Sequence, residues 1–151
     1  RAQNVFMELL PAGGAFTGEI SSAQLKALGV SYVIIGPSER RIHLLENNEM
    51  ISQKVEAVLE AGMTPILCAG ENENEKAMGR TEEIVSRQLE LGLSKIDRSK
   101  TPPQIVIAYE PIWAISKGDL AHATDSPEDA DKVISMIRAR ASTLSVRPFH
   151  M

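Results

Sequence analysis

Four short apolar runs divide the chain: Ala2–Val5, Tyr32–Ile35, Pro65–Cys68 and Ile105–Tyr109. Their hydrophobicity is nearly continuous rather than alternating, the pattern of parallel strands covered on both faces. The segments between them carry helical periodicity. Ser21-Ser22-Ala23-Gln24 has the spacing of a capping box ahead of Leu25 and Leu28, and Gly29 follows as a stop. From Asn48 onward, Ile51, Val55, Val58 and Leu59 fall on one helical face, which ends at Gly62. Thr81-Glu82-Glu83 opens a helix whose stripe is Val85, Leu89 and Leu93. Ser126-Pro127-Glu128-Asp129 supplies a cap, a first-turn proline and acidic residues at the helix start, and Ala130, Val133, Ile134, Ile137 and Ala141 form the stripe behind it.

Strand, loop and helix recur roughly every 30–40 residues, the length of a βα unit. A helix between successive strands implies parallel pairing through right-handed crossovers. The predicted fold class is α/β, with about four consecutive βα units, half the number that closes an eight-stranded barrel. None of the four strand-like runs falls in the terminal Ser145–Met151 stretch, and no strand is expected after it. Half a barrel leaves open strand edges. With Arg1 at the start, the expectation is one partial-barrel domain over residues 1–151, incomplete at both ends and internal to a longer protein. A free-standing open-sheet domain is the alternative.

Composition narrows the functional classes. The 151 residues are 43% hydrophobic and 24% charged, ordinary for a globular chain with a core. A net charge of −4, with Arg40-Arg41 the densest basic spot, argues against nucleic acid or an anionic membrane as partner. No run approaches the roughly 18 apolar residues of a membrane span, and no signal peptide is evident. One cysteine, Cys68, excludes an internal disulfide and suits a reducing cytoplasm. Cys68 reads as a small buried hydrophobe. The three histidines are far apart and lack paired metal-ligand spacing, so no metal site is expected. The glycines around Gly13, Gly14 and Gly18 lack the strand–GxGxxG–helix context of a nucleotide site, and there is no nucleophile elbow.

The segment with the most chemical content is Ala108-Tyr109-Glu110-Pro111-Ile112-Trp113-Ala114-Ile115. It places a carboxylate at the C-terminal end of a strand, where α/β barrels carry their active sites. This string resembles the triosephosphate isomerase family at its catalytic glutamate and the start of its lid. Further strings match in order: Gly14-Ala15-Phe16-Thr17-Gly18-Glu19-Ile20-Ser21, Tyr32 to Gly36, Ser38-Glu39-Arg40-Arg41, Thr64 to Cys68, and Gly70-Glu71. Together they run from Gln3 to about Leu144 and imply strands three to six of a (β/α)8 barrel. The family's first-strand asparagine and lysine, and its glycine-rich phosphate site, have no counterpart in these residues.

The resemblance implies a cofactor-free, homodimeric, cytoplasmic enzyme of glycolysis and gluconeogenesis that interconverts dihydroxyacetone phosphate and glyceraldehyde 3-phosphate. Glu110 takes the place of the base, facing a phosphate-sized hollow, with Ser38 and Glu39 as supporting residues beside it. Pro111 and Trp113 correspond to the lid hinge. A closing lid excludes water and protects the enediolate. Thr17 lies on the loop that reaches across the family's dimer. Two positions depart from the pattern. Pro37 stands where the family has its electrophilic histidine, and proline has neither a side-chain donor nor an N–H. Losing one such donor typically costs on the order of 10²–10³ in kcat. Pro37 also threatens to displace Glu39. Ser116 and Lys117 replace the glycine-threonine start of the lid tip that grips phosphate. His43 and His122 are candidate replacements for the missing histidine, though each reads more naturally as a surface residue. Two other readings stay open: a catalytically silent sugar-phosphate-binding or scaffold relative, and an isomerase of a longer phosphorylated ketose.

Overall fold

A computed structural model describes residues 2–4, 17–97, 103–114, 126–144 and 147–148. The first strand, β1 (Ala2–Asn4), is followed by α1 (Ser22–Ala27), β2 (Tyr32–Ile35), α2 (Ser38–His43) and α3 (Asn48–Glu60). Next come β3 (Thr64–Ala69), α4 (Glu73–Ala77), α5 (Thr81–Gly92) and β4 (Gln104–Tyr109). A single 3-10 turn (Ile112–Ala114) precedes α6 (Pro127–Thr143) and β5 (Arg147–Pro148). All four strand pairings are parallel, and the strand order follows the sequence, β1-β2-β3-β4-β5. A doubly wound sheet reverses its order at a switch point, whereas a barrel adds each strand beside the last. The order is that of a barrel segment.

The helices start where the sequence provides caps. Ser21 Oγ accepts from Gln24 N–H while Gln24 Oε1 accepts from Ser21 N–H, closing the predicted box. Asn47 and Ser126 cap α3 and α6 with a one-way bond, accepting from Met50 N–H and Asp129 N–H. α5 differs: the residue before it, Arg80, gives no side-chain cap. The apolar stripes converge on one face of the sheet. Leu25, Ile51, Val55, Val58, Val85, Leu89 and Leu93 pack with Val33, Ile35, Leu67 and Ile105 in one core. Ile137 and Ala141 of α6 are buried, while Ala130, Val133 and Ile134 are half-buried.

Three sequence expectations require correction. Ser145–Met151 does contain a strand, because Arg147 and Pro148 pair with Gln104 and Ile105. Two residues, one of them proline, are too short to carry a hydrophobic pattern. The helices α2 and α4 were not foreseen, since SERRIH holds one apolar residue and ENEKA only an alanine. The sheet is also not equally covered on its two faces. Val33, Ile35, Leu67 and Ile105 lie under the helices, but Ile34 and Ile66, paired across β2 and β3 on the opposite face, remain half-buried.

Candidate functional site

The C-terminal ends of β2, β3 and β4 lie side by side, and the turns that leave them bring the candidate residues together. After β2 the chain turns at Gly36 and enters α2 through Pro37, the N-cap, whose carbonyl accepts from Arg40 and Arg41 N–H. Pro37 has φ −63° and ψ 157°, an N-cap geometry its ring already favours. The proline therefore leaves the helix start intact, and Ser38 and Glu39 occupy its first turn.

Glu110 follows β4 directly, and its backbone is fixed by Glu110 N–H donating to Ala69 O at 2.8 Å. Its carboxylate reaches across to α2. Ser38 Oγ donates to Oε1 at 3.1 Å, and Ser38 N–H donates to Oε2 at 3.4 Å. The serine hydroxyl also lies 3.3 Å from Glu39 Oε2. The N–H groups of a helix's first turn lack intrahelical partners, so a carboxylate there is favourable. Glu39 itself is exposed, and its recorded hydrogen bond is to Ser38.

Arg41 braces this corner. Its guanidinium donates to Gly36 O and Asn48 Oδ1, both at 2.8 Å, and lies 3.4 Å from Cys68 O. It thus ties the β2 turn to α3 and to the end of β3. Burial pulls the Arg41 pKa down, and the nearby Glu110 and Glu46 carboxylates oppose that pull. Cys68 is buried beside Glu110; burial first, and the neighbouring carboxylate second, push its thiol up to about 12. A thiol pushed up in this way carries little thiolate near neutral pH.

The hollow between Gly36, Arg41, Cys68 and Glu110 measures about 10 Å³. That is room for about one water; the Ser116 and Lys117 side of the expected phosphate-sized hollow lies outside the described residues. The Glu110 carboxylate, docked on Ser38, forms part of its wall.

Beyond Glu110, the segment that holds Pro111 and Trp113 is anchored by a residue to which sequence reasoning assigned no role. Glu71 is fully buried at the end of β3. Its carboxylate accepts from Tyr109 Oη at 3.1 Å and from Trp113 Nε1 at 3.0 Å, and its carbonyl accepts from Ile112 N–H. Lys76 Nζ sits 4.9 Å from the Trp113 ring centroid, within cation–π range. Pro111 and Trp113 therefore begin a segment held down by β3 and α4. The only sequence signal for Glu71 was its place in a matched string; the contact itself joins residues about 40 positions apart.

Of the remaining candidates, Thr17 is exposed and precedes α1. His43 is exposed at the end of α2, and no hydrogen bond to the docked carboxylate is recorded for it. Ser116, Lys117 and His122 lie outside the described residues. Among the described residues, no group of histidine, cysteine and acidic side chains is arranged to hold a metal ion, and no helix is long and apolar enough to cross a membrane.

Comparison with known proteins places these features in context. A family model described as triosephosphate isomerase matches residues 1–148. A triosephosphate isomerase of Clostridium tetani is 44% identical over 143 residues, covering 95% of this chain and 53% of that protein. One from Acidithiobacillus ferrooxidans is 44% identical over 145 residues, covering 96% and 54%. One from Dictyoglomus thermophilum is 45% identical over 137 residues, covering 91% and 52%. The chain spans about half the length of the curated relatives it matches.

Proposed function

The chain belongs to the triosephosphate isomerase family, and from that premise we propose that it supplies the base-bearing half of a triose-phosphate isomerase active site. The reaction is the interconversion of dihydroxyacetone phosphate and glyceraldehyde 3-phosphate, a cytoplasmic step of glycolysis and gluconeogenesis. One observation supports this reading above the rest: a strand-end carboxylate, Glu110, sits at the C-terminal edge of a parallel sheet on a backbone fixed by its neighbour strand.

In the proposed mechanism Glu110 removes a proton from the carbon beside the substrate carbonyl and returns it to the adjacent carbon. Docked on Ser38, the carboxylate must first leave that serine to reach a substrate carbon. Pro111 and Trp113 act as the hinge of a lid whose Ser116 and Lys117 contact the substrate phosphate. Thr17 contributes to a homodimer contact. Glu39, exposed and one residue beyond Ser38, supports the site by tuning the serine hydroxyl between two carboxylates.

Pro37 limits the rate. It keeps the helix but removes the donor that polarises the substrate carbonyl, and the exposed His43 does not replace it. The test is a chimera in which this segment replaces the matching half of the Clostridium tetani protein. The chimera is expected to turn over at least 10²–10³-fold more slowly than the parent. Pro37→His recovers most of that loss, and Glu110→Gln abolishes what remains. Parent-like turnover with Pro37 in place would overturn the assignment of impairment; no recovery with histidine would overturn the isomerase reading.

Pro37 also favours a second reading, a silent relative that binds sugar phosphate or serves as a scaffold. Calorimetry of the chimera with a phosphate-bearing enediolate mimic separates the two. Tight binding without turnover, unchanged by Pro37→His, belongs to the silent relative.

A further inference from the structure

Gly70 follows β3 and is buried, yet the sheet ladder recorded for β3 ends at Ala69. Its backbone groups therefore need partners from elsewhere. One side chain provides both. Gln88, on α5, accepts from Gly70 N–H through Oε1 at 2.9 Å and donates to Gly70 O through Nε2 at 3.1 Å. The amide completes for Gly70 what a further strand would otherwise supply.

The pinned glycine sits directly against the candidate base. A Cβ at position 70 would lie 1.9 Å from Glu110 O, 2.4 Å from Glu110 C and 3.0 Å from Pro111 N, all backbone atoms that cannot step aside as a flexible side chain would. The hydrogen bonds on either side lock the same register, with Glu110 N–H on Ala69 O and Ile112 N–H on Glu71 O. Glu110 is thus seated on residues 69–71, and the centre of that seat is held laterally by α5.

We infer that Gln88 is a positioning residue for Glu110, acting through the Gly70 backbone to set where the carboxylate meets Ser38. The catalytic meaning of this placement rests on the reading of Glu110 as the base; the placement itself does not. Gln88→Met keeps length and bulk but removes both hydrogen bonds. Gln88→Glu keeps an acceptor for Gly70 N–H and removes the donor to its carbonyl.

The readout is the Ser38 amide signal in a ¹H–¹⁵N spectrum of the 151-residue chain, because that N–H donates to Glu110. Glu110→Ala gives the reference for a lost acceptor. The expected result is that Gln88→Met carries the Ser38 signal at least halfway to that reference, with Gln88→Glu intermediate. If Gln88→Met does not give a folded spectrum, the milder Gln88→Glu carries the test, and a clear shift of Ser38 is still required. Signals of Ser38 and Glu110 that stay in place while Gly70 moves, or a lowered melting temperature with Ser38 unmoved, would reduce Gln88 to a structural residue and overturn the inference. In the Pro37→His chimera, Gln88→Met should lower kcat about tenfold or more with KM within twofold. A chimera inactive in every form sinks the isomerase reading but leaves the Ser38 result standing.

Discussion

Glu71 has no access to solvent, and its carboxylate holds the Tyr109 hydroxyl and the Trp113 indole at once. Removing such an acceptor takes a hydrogen bond from the half-buried Tyr109 hydroxyl and Trp113 indole, and each lost bond is worth about 0.5–1.5 kcal/mol, more where the acceptor is charged. Glu71→Leu is therefore expected to lower stability by about 1–3 kcal/mol and to loosen the turn that carries Trp113. Trp113 is the chain's one tryptophan, so its emission reports this directly. The variant should show a red-shifted maximum before global unfolding, and an unshifted spectrum would mean that the indole is held by the Lys76 contact instead. At this scale the sequence was informative about residue types and poor about pairings. Glu110 and Pro37 stood out from a strand end and a matched string. The partnership of Glu110 with Ser38, and of Glu71 with Trp113, depends on which strand ends lie side by side, and no local pattern encodes that.

Between α2 and α3 the chain buries a charge cluster that joins two elements. Glu46 accepts from Arg40 Nε at 2.6 Å and pairs with Lys54 in a short contact, and both Glu46 and Lys54 are almost fully buried. Burial alone would raise the Glu46 pKa, but hydrogen bonds and charge from Arg40 and Lys54 outweigh it and hold the group below its ordinary value of 4.5. A depressed carboxylate contributes stability that is fully present above the unfolded value and is lost as pH falls through the lower folded value. The urea midpoint should thus hold from neutral pH to about 5 and drop below it. In Glu46→Ala the two cations lose their buried partner, at a cost of about 3–5 kcal/mol at pH 7. Its acid dependence should flatten; an equally steep decline would assign that dependence to other carboxylates. The elements involved differ in how readable they were. Asn47 and the Ile51–Val55–Val58 stripe announce α3, whereas α2 is set by the strand-to-helix turn at Gly36 and Pro37 and by this ion cluster, features without periodicity.

Over the whole molecule the sheet has an unequal pair of faces, and that asymmetry yields a measurable contrast. The helix side holds side chains with no exposure, such as Val33, Leu67 and Ile105, while Ile34 and Ile66 on the other side stay half-buried. The sequence could not distinguish the two faces, because Ile34, Ile66 and Val106 on the inner side are as apolar as Val33, Leu67 and Ile105 beneath the helices. Closing the barrel with the remaining strands of a relative places Ile66 in a packed interior layer. The same substitution should then have two different costs. Ile66→Ala in the 151-residue chain removes a half-solvated side chain and should cost roughly 1 kcal/mol or less by area. In the chimera with the Clostridium tetani protein it empties a filled position and should cost about 2–5 kcal/mol. Leu67→Ala, on the helix side, should cost about 2–5 kcal/mol in both. Equal penalties for Ile66→Ala in the two contexts would mean that the chain buries its inner face without further strands, and the barrel-segment description of the sheet would have to give way to a self-sufficient open-sheet fold.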